Sequence, residues 1–302
     1  MSFQAEMAET AAPVEPAPAL IRAFGARRAL AVGCIVVLTG AGWAYAALHV
    51  APALLAGEAG QFGPGMGALG ALAARSGLGG WLAALCGPFN AAPAASELGL
   101  VLAMWLAMTF AMMLPTAAPM LLTYAEIADT AAAKGERVAS PLLLAAGYGA
   151  VWLGFAAAAA VLSLVLRPAG LLDDGMVLAS RWLAGLVFVG AGAYQFSALK
   201  HACLHACQRP FPFFFANWTE SGAGVFRLGL RQGVFCLGCC WAAMLVMLGV
   251  GLMNLVWMAA LGIVMTIEKM TTGTRFSRAV GVTFIAIGAG LMLAAAGPLV
   301  SR

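Results

Sequence analysis

Long runs of apolar residues, separated by short polar or charged stretches, dominate the pattern of this chain. Several runs reach the ~20 residues that a helix needs to cross a ~30 Å hydrocarbon layer at about 1.5 Å per residue. The pattern therefore predicts an all-α fold, a polytopic transmembrane helical bundle. Its single spans are Ala29–Leu48, Leu98–Tyr124, Pro141–Leu166, Trp182–Leu199 and Ala279–Val300.

The stretch Gly233–Ile267 contains no charged residue and is too long for one span. As a single helix it would measure about 52 Å, well beyond the hydrocarbon layer. We expect it to fold back near Gly249, Gly251 and Asn254, with the Asn254 amide capping the backbone groups freed at the turn. This hairpin adds two short spans and brings the predicted total to about seven.

Residues 1–28 are polar and contain several prolines and glutamates. This composition predicts a disordered cytoplasmic tail and is unlike a cleavable signal peptide. Residues 29–302 then form the transmembrane helical domain.

Composition and charge agree with a membrane protein. Hydrophobic residues make up 63% of the 302 residues and charged residues only 9%, against roughly one quarter charged in soluble domains. If the N-terminus is cytoplasmic, most Lys and Arg residues fall on the cytoplasmic side of the membrane, as the positive-inside rule requires. The basic residues of these inner loops explain the net charge of +4. The sequence does not interleave basic and aromatic residues as nucleic-acid-binding surfaces do, so we do not expect nucleic acid as a partner. The expected partner is the lipid bilayer.

The candidate chemistry lies in a concentration of thiols. Cys203 and Cys207 are four residues apart, as are Cys236 and Cys240, so each pair shares one face of a helix. Cys239 lies beside the second pair. We expect the first pair just beyond the inner end of the fourth span and the second within the first turns of the fifth. Four thiolates at ~2.3 Å suit a tetrahedral zinc ion, and two or three suit Cu(I) equally well.

Three further residues are secondary candidates. His201 and His205 share a helix face that differs from the face of the cysteines, so one straight helix cannot present both pairs to one ion. Met112 belongs to a stripe with Met104 and Met108, whose thioethers are soft ligands but which is also typical of helix packing.

Other interpretations of the cysteines remain open. Cysteine packs well as a small apolar residue, which is how we interpret the isolated Cys34 and Cys86. Disulfides are disfavoured on the cytoplasmic side. A membrane thiol-disulfide oxidoreductase would use Cys236 and Cys239 as its exchanging pair. Glu268 and Lys269 are interpreted as interface charges at a span end.

The motifs of the chain also resemble a known family. They are AMMLPTAAPM, LKHACLHACQRP, FCLGCCW, GLMNLVWM and EKM, spread from about residue 98 to residue 300. This set resembles a bacterial domain-of-unknown-function family whose members are labelled predicted metal-binding integral membrane proteins. The resemblance implies metal binding at the cysteines. We expect the chain to lie in the bacterial cytoplasmic (inner) membrane.

Together these observations predict a multi-pass protein that binds Cu(I) or zinc at a cytoplasm-facing cysteine cluster. Its expected role is metal homeostasis or transport, with a metal-delivering or membrane partner protein that the sequence does not identify. No Walker loop, nucleophile elbow or HExxH motif is present, so the sequence does not favour an enzyme. The alternatives are the oxidoreductase and a structural or assembly subunit of a membrane complex.

Overall fold

The computed structural model describes residues 18–75, 97–173 and 176–300, and the secondary structure of this part of the chain is almost entirely helical. The all-α prediction is therefore confirmed. A short 3-10 turn covers Ala59–Phe62. The helices are α1 (Pro18–Ala56), α2 (Met66–Arg75), α3 (Glu97–Ala133), α4 (Pro141–Leu166), α5 (Arg181–Tyr194), α6 (Ala198–Gln208), α7 (Pro210–Ala216), α8 (Gly222–Val250), α9 (Leu255–Met270) and α10 (Arg275–Val300).

The predicted count of seven spans is wrong. Among the described residues, five helices are long and apolar enough to cross a membrane, namely α1, α3, α4, α8 and α10. The predicted span Trp182–Leu199 is broken, because α5 and α6 meet at 65° and count as a sixth span only when taken together. Helix α9 has 16 residues, or about 24 Å, and is shorter than the hydrocarbon layer.

The hairpin predicted within Gly233–Ile267 is confirmed. Helix α8 ends at Val250, and Gly251 follows with a φ of 108°, a backbone conformation that favours glycine. The Asn254 side chain caps α9, since its Oδ1 accepts a hydrogen bond from the Trp257 amide at 3.1 Å. Its Nδ2 lies 3.0 to 3.1 Å from the carbonyl oxygens of Phe62, Pro64 and Val250.

The start of α1 differs from the predicted boundary at residue 28. Helix α1 begins at Pro18, so residues 18–28 continue the helix instead of the expected disordered tail. Proline is well tolerated in the first helical turn, and the Ala, Leu and Arg residues that follow favour helix. Residues 1–17 of the predicted tail, and Cys86, lie outside the described residues.

Helix α8 lies at the centre of the bundle and positions the site. It packs against α4, α5, α6 and α9, while α3 packs against α1, α4 and α9. Helix α10 covers α5 through small residues, because a Cβ on Gly185 would lie 2.8 Å from the carbonyl oxygen of Gly288. Helix α8 begins eleven residues before the predicted span, at a cap where Ser221 Oγ accepts from the Gly224 amide. The three clustered cysteines therefore lie in the middle of α8, not in its first turns.

Candidate metal centre

Three thiols converge on one face of α8. Cys236, Cys239 and Cys240 occupy helical positions i, i+3 and i+4, which together span about 100° of arc around the helix axis. Their sulfur atoms all lie within 4.8 Å of one another, and each residue is 2% exposed. The Sγ atoms of Cys239 and Cys240 are 3.3 Å apart. Helix geometry alone thus brings together three buried soft ligand atoms.

A fourth thiol reaches this group from α6. Ser197 caps that helix by accepting a hydrogen bond from the Lys200 amide at 3.1 Å, and α6 then packs across α8. The half-buried Cys207 lies with its Sγ 4.0 Å from the Sγ of Cys239. Sulfurs at ~2.3 Å from one ion are about 3.8 to 4 Å apart, so this separation matches shared coordination. We call these four residues the thiol cluster: Cys207, Cys236, Cys239 and Cys240.

Cys203 lies elsewhere on the same interface. Its side chain packs against the backbone of Gly238, where an added Cβ would lie 2.5 Å from the Cys203 Sγ. Cys203 and Cys207 share the face of α6 that contacts α8, but they are one helical turn, about 6 Å, apart. Both predicted cysteines therefore reach α8, and Cys207 is the one beside the other thiols.

The secondary candidates lie outside the thiol cluster. His201 is partly buried and its Nδ1 has no hydrogen-bond partner among the described residues, whereas His205 is exposed. Met112 is buried at 1% exposure and packs against Gly262 of α9. Neither histidine joins the group of close ligand atoms in the described part of the chain.

A positive charge lies directly beside the thiol cluster. The Lys269 Nζ is 3.1 Å from the Cys236 Sγ and also donates a hydrogen bond to Thr116 Oγ1 at 2.6 Å. The Tyr148 hydroxyl lies 3.1 Å from the same sulfur. An adjacent ammonium offsets the negative charge of a metal-bound thiolate, which is the metal-binding form of cysteine.

A second lysine, Lys200, contacts the backbone of the thiol cluster. Lys200 and Glu268 form an ion pair of 2.9 Å with side chains only 1% and 2% exposed. Lys200 Nζ also donates to the backbone carbonyl of Cys239 at 3.1 Å. Gln208 Nε2 donates to the carbonyl oxygens of Glu268 and Thr271, at 2.8 and 2.6 Å. These bonds tie α6 to both α8 and α9.

This arrangement corrects the interpretation of Glu268 and Lys269 as interface charges. Both side chains face inward, because Glu268 pairs with Lys200 of α6 and Lys269 contacts Cys236 of α8. The EKM motif at the end of an uncharged run marks both residues, but the sequence offers no partner for them nearby. Tyr148 carries no comparable sequence signal, since it is one aromatic residue in an apolar helix.

Comparison with known proteins matched the chain to a family. A family model described as a copper chaperone, PpoB2, matches residues 102–291. No curated protein and no solved structure matched the chain. The matched range contains every residue of the thiol cluster together with Lys200, Glu268 and Lys269. The description confirms the metal-related part of the family resemblance and names copper, while it contains no membrane label.

Proposed function

The chain belongs to the PpoB2 copper chaperone family, and from that premise we propose that it binds one Cu(I) ion at the thiol cluster and passes it to a partner protein. The observation that supports this most directly is the convergence of Cys236, Cys239 and Cys240, whose sulfurs lie within 4.8 Å of one another. The partner is a protein that accepts Cu(I) through soft ligands of its own.

The ligand set favours Cu(I) over zinc. Thiolates are soft donors, and Cu(I) is satisfied by two or three of them, whereas structural zinc requires four in a closed tetrahedron. Helix α8 supplies three thiols by itself, so Cu(I) can be held before or after Cys207 engages. A chaperone must release its cargo, and a site in which one thiol arrives from another helix allows stepwise exchange.

The charge around the cluster suits this cargo. One Cu(I) ion with three thiolates carries net negative charge, which is costly in a buried site unless a cation lies nearby. The Lys269 ammonium lies 3.1 Å from the Cys236 sulfur and offsets that charge. The Lys200–Glu268 pair is neutral as a unit and leaves this balance unchanged.

We further propose that the protein is a multi-pass protein of the bacterial inner membrane with its N-terminus in the cytoplasm. Five described helices have the length and composition of spans. Their outward faces carry large exposed apolar side chains such as Val37, Val165 and Leu293, at 67%, 62% and 73% exposure. Apolar surface of this extent is unfavourable in water and expected against lipid. In this orientation α6 lies on the cytoplasmic side and the thiol cluster opens towards it.

Copper titration of the detergent-solubilised full chain tests the proposal. The wild type should retain about one Cu(I) per chain against a chromophoric Cu(I) chelator, and a variant with Cys236, Cys239 and Cys240 changed to Ser should retain none. Cys203→Ser is the matched control, since it removes a buried thiol of the same interface outside the cluster. Metal analysis that finds zinc without copper, or copper retained by the triple variant, would contradict the proposal.

A further inference from the structure

A cavity of about 290 Å³ lies beside the thiol cluster and is lined by residues of α3, α4, α6, α7, α8 and α9. Cys207 and Cys236 both form part of its wall. Cys236 is 2% exposed, so the cavity gives this buried sulfur an opening that the packed helices otherwise deny. It thus offers a path to the thiol cluster from the end of the bundle where α6 crosses.

Two methionines line the same cavity at different depths. Met270, the last residue of α9, is 71% exposed and marks the outer end. Met120 of α3 is 6% exposed and lies deeper. Thioethers are soft ligands that bind Cu(I) without losing a proton and more weakly than thiolates do. The cavity wall thus carries one exposed and one buried weak soft ligand together with the stronger thiols of Cys207 and Cys236.

The cavity wall also carries a buried polar group that water in the cavity would satisfy. Gln232 is 2% exposed, lines the cavity, and its Nε2 has no hydrogen-bond partner among the described residues. A buried amide without a partner is unfavourable in a dry space, whereas a polar cavity of this size accommodates several waters. Thr116 and Lys269 add further polar groups to the wall. A hydrated cavity can accept both an incoming ion and the protons that thiols release.

We propose that this cavity is the loading port for Cu(I), in which Met270 and Met120 hold the ion transiently before it reaches Cys207 and Cys236. The inference rests on the proposed function. The step is a ligand exchange without redox change: a copper–thioether bond breaks, a copper–thiolate bond forms, and the proton of each newly bound thiol passes to cavity water. Copper remains Cu(I) throughout.

If the cavity is the loading port, substitution of its methionines should slow Cu(I) loading and leave the equilibrium Cu(I) affinity unchanged. Met120→Leu/Met270→Leu in the full chain should load about tenfold more slowly, equivalent to about 1.4 kcal/mol of barrier. The probe is the Cu(I)–bicinchoninate complex, mixed anaerobically with detergent-solubilised protein and followed by stopped-flow absorbance. Met112→Leu/Met265→Leu is the matched control, because these buried methionines lie on the same two helices outside the cavity wall. It should load at the wild-type rate.

Each outcome has one meaning. Slow loading by the cavity variant, with unchanged stoichiometry and an equilibrium affinity within about twofold of wild type, supports the port. Equal rates for the cavity and control variants overturn it while the proposed function stands. A large loss of equilibrium affinity also overturns it, since the methionines would then be ligands of the resting site. Met270→Leu alone should slow loading as well, and its exposed position removes any concern about folding. A wild type that binds no Cu(I) overturns both proposals.

Discussion

The Nζ of Lys200 lies 2.9 Å from Oε2 of Glu268, in an ion pair that is almost completely buried. The same ammonium donates a hydrogen bond to the carbonyl of Cys239, so the pair contacts the backbone of a cluster residue directly. It therefore joins three helices at the level of the thiols, and its loss should affect both stability and metal binding.

We expect Lys200→Met to destabilise the protein by about 3 to 5 kcal/mol, because it leaves the Glu268 carboxylate buried without its partner. Thermal unfolding in detergent measures the effect. The exposed Lys134→Met is the control and should change stability by less than about 0.5 kcal/mol. Lys200→Met/Glu268→Leu should recover part of the loss, since no uncompensated charge remains. Equal unfolding temperatures for Lys200→Met and Lys134→Met would be inconsistent with this account.

The two cysteines of α6 should differ in their effect on copper. Cys207→Ser removes a sulfur that lies 4.0 Å from Cys239 and should weaken Cu(I) binding by about tenfold or more. Cys203→Ser should leave the affinity unchanged, because its sulfur packs against Gly238. Competition with a chromophoric Cu(I) chelator measures both affinities. Similar losses in the two variants would place Cys203 among the ligands.

The sequence is sufficient for the elements that depend on local pattern. The Gly251 and Asn254 reversal is predictable, because a 35-residue uncharged run is too long for one span and these two residues suit a turn. The break between Tyr194 and Ala198 is harder to predict, since the uncharged run continues through it and only Gln195 and Ser197 interrupt its apolar pattern. Length and composition identify a span, but they do not show where a helix bends.

In the candidate site, too, local sequence pattern predicts some features and tertiary packing determines the others. The spacing of Cys236, Cys239 and Cys240 predicts their shared helix face. The spacing of Cys203 and Cys207 is equally regular, and only the packing of α6 on α8 distinguishes them. Lys200 and Glu268 are 68 residues apart, so their pairing depends on tertiary structure that no local pattern encodes.

Asn254 should matter for the fold and not for the metal. Asn254→Ala removes the N-terminal cap of α9 and the contacts with the carbonyl oxygens of Phe62, Pro64 and Val250. Buried groups left unsatisfied cost about 1 to 3 kcal/mol each, so we expect a clear drop in unfolding temperature. Copper affinity of the folded protein should be unchanged, because Asn254 lies fourteen residues beyond Cys240, at the far end of α8. A loss of copper affinity at unchanged stability would contradict this separation of roles.

Lys269 should tune the thiol cluster through its charge. Lys269→Gln removes the ammonium 3.1 Å from Cys236, so both the thiolate and the negatively charged Cu(I) complex lose their neighbouring cation. We expect Cu(I) affinity to fall by about tenfold, or 1.4 kcal/mol. Lys269→Arg keeps the charge and should retain most of the affinity. Higher affinity in Lys269→Gln would show instead that the ammonium repels the incoming ion more than it stabilises the thiolates.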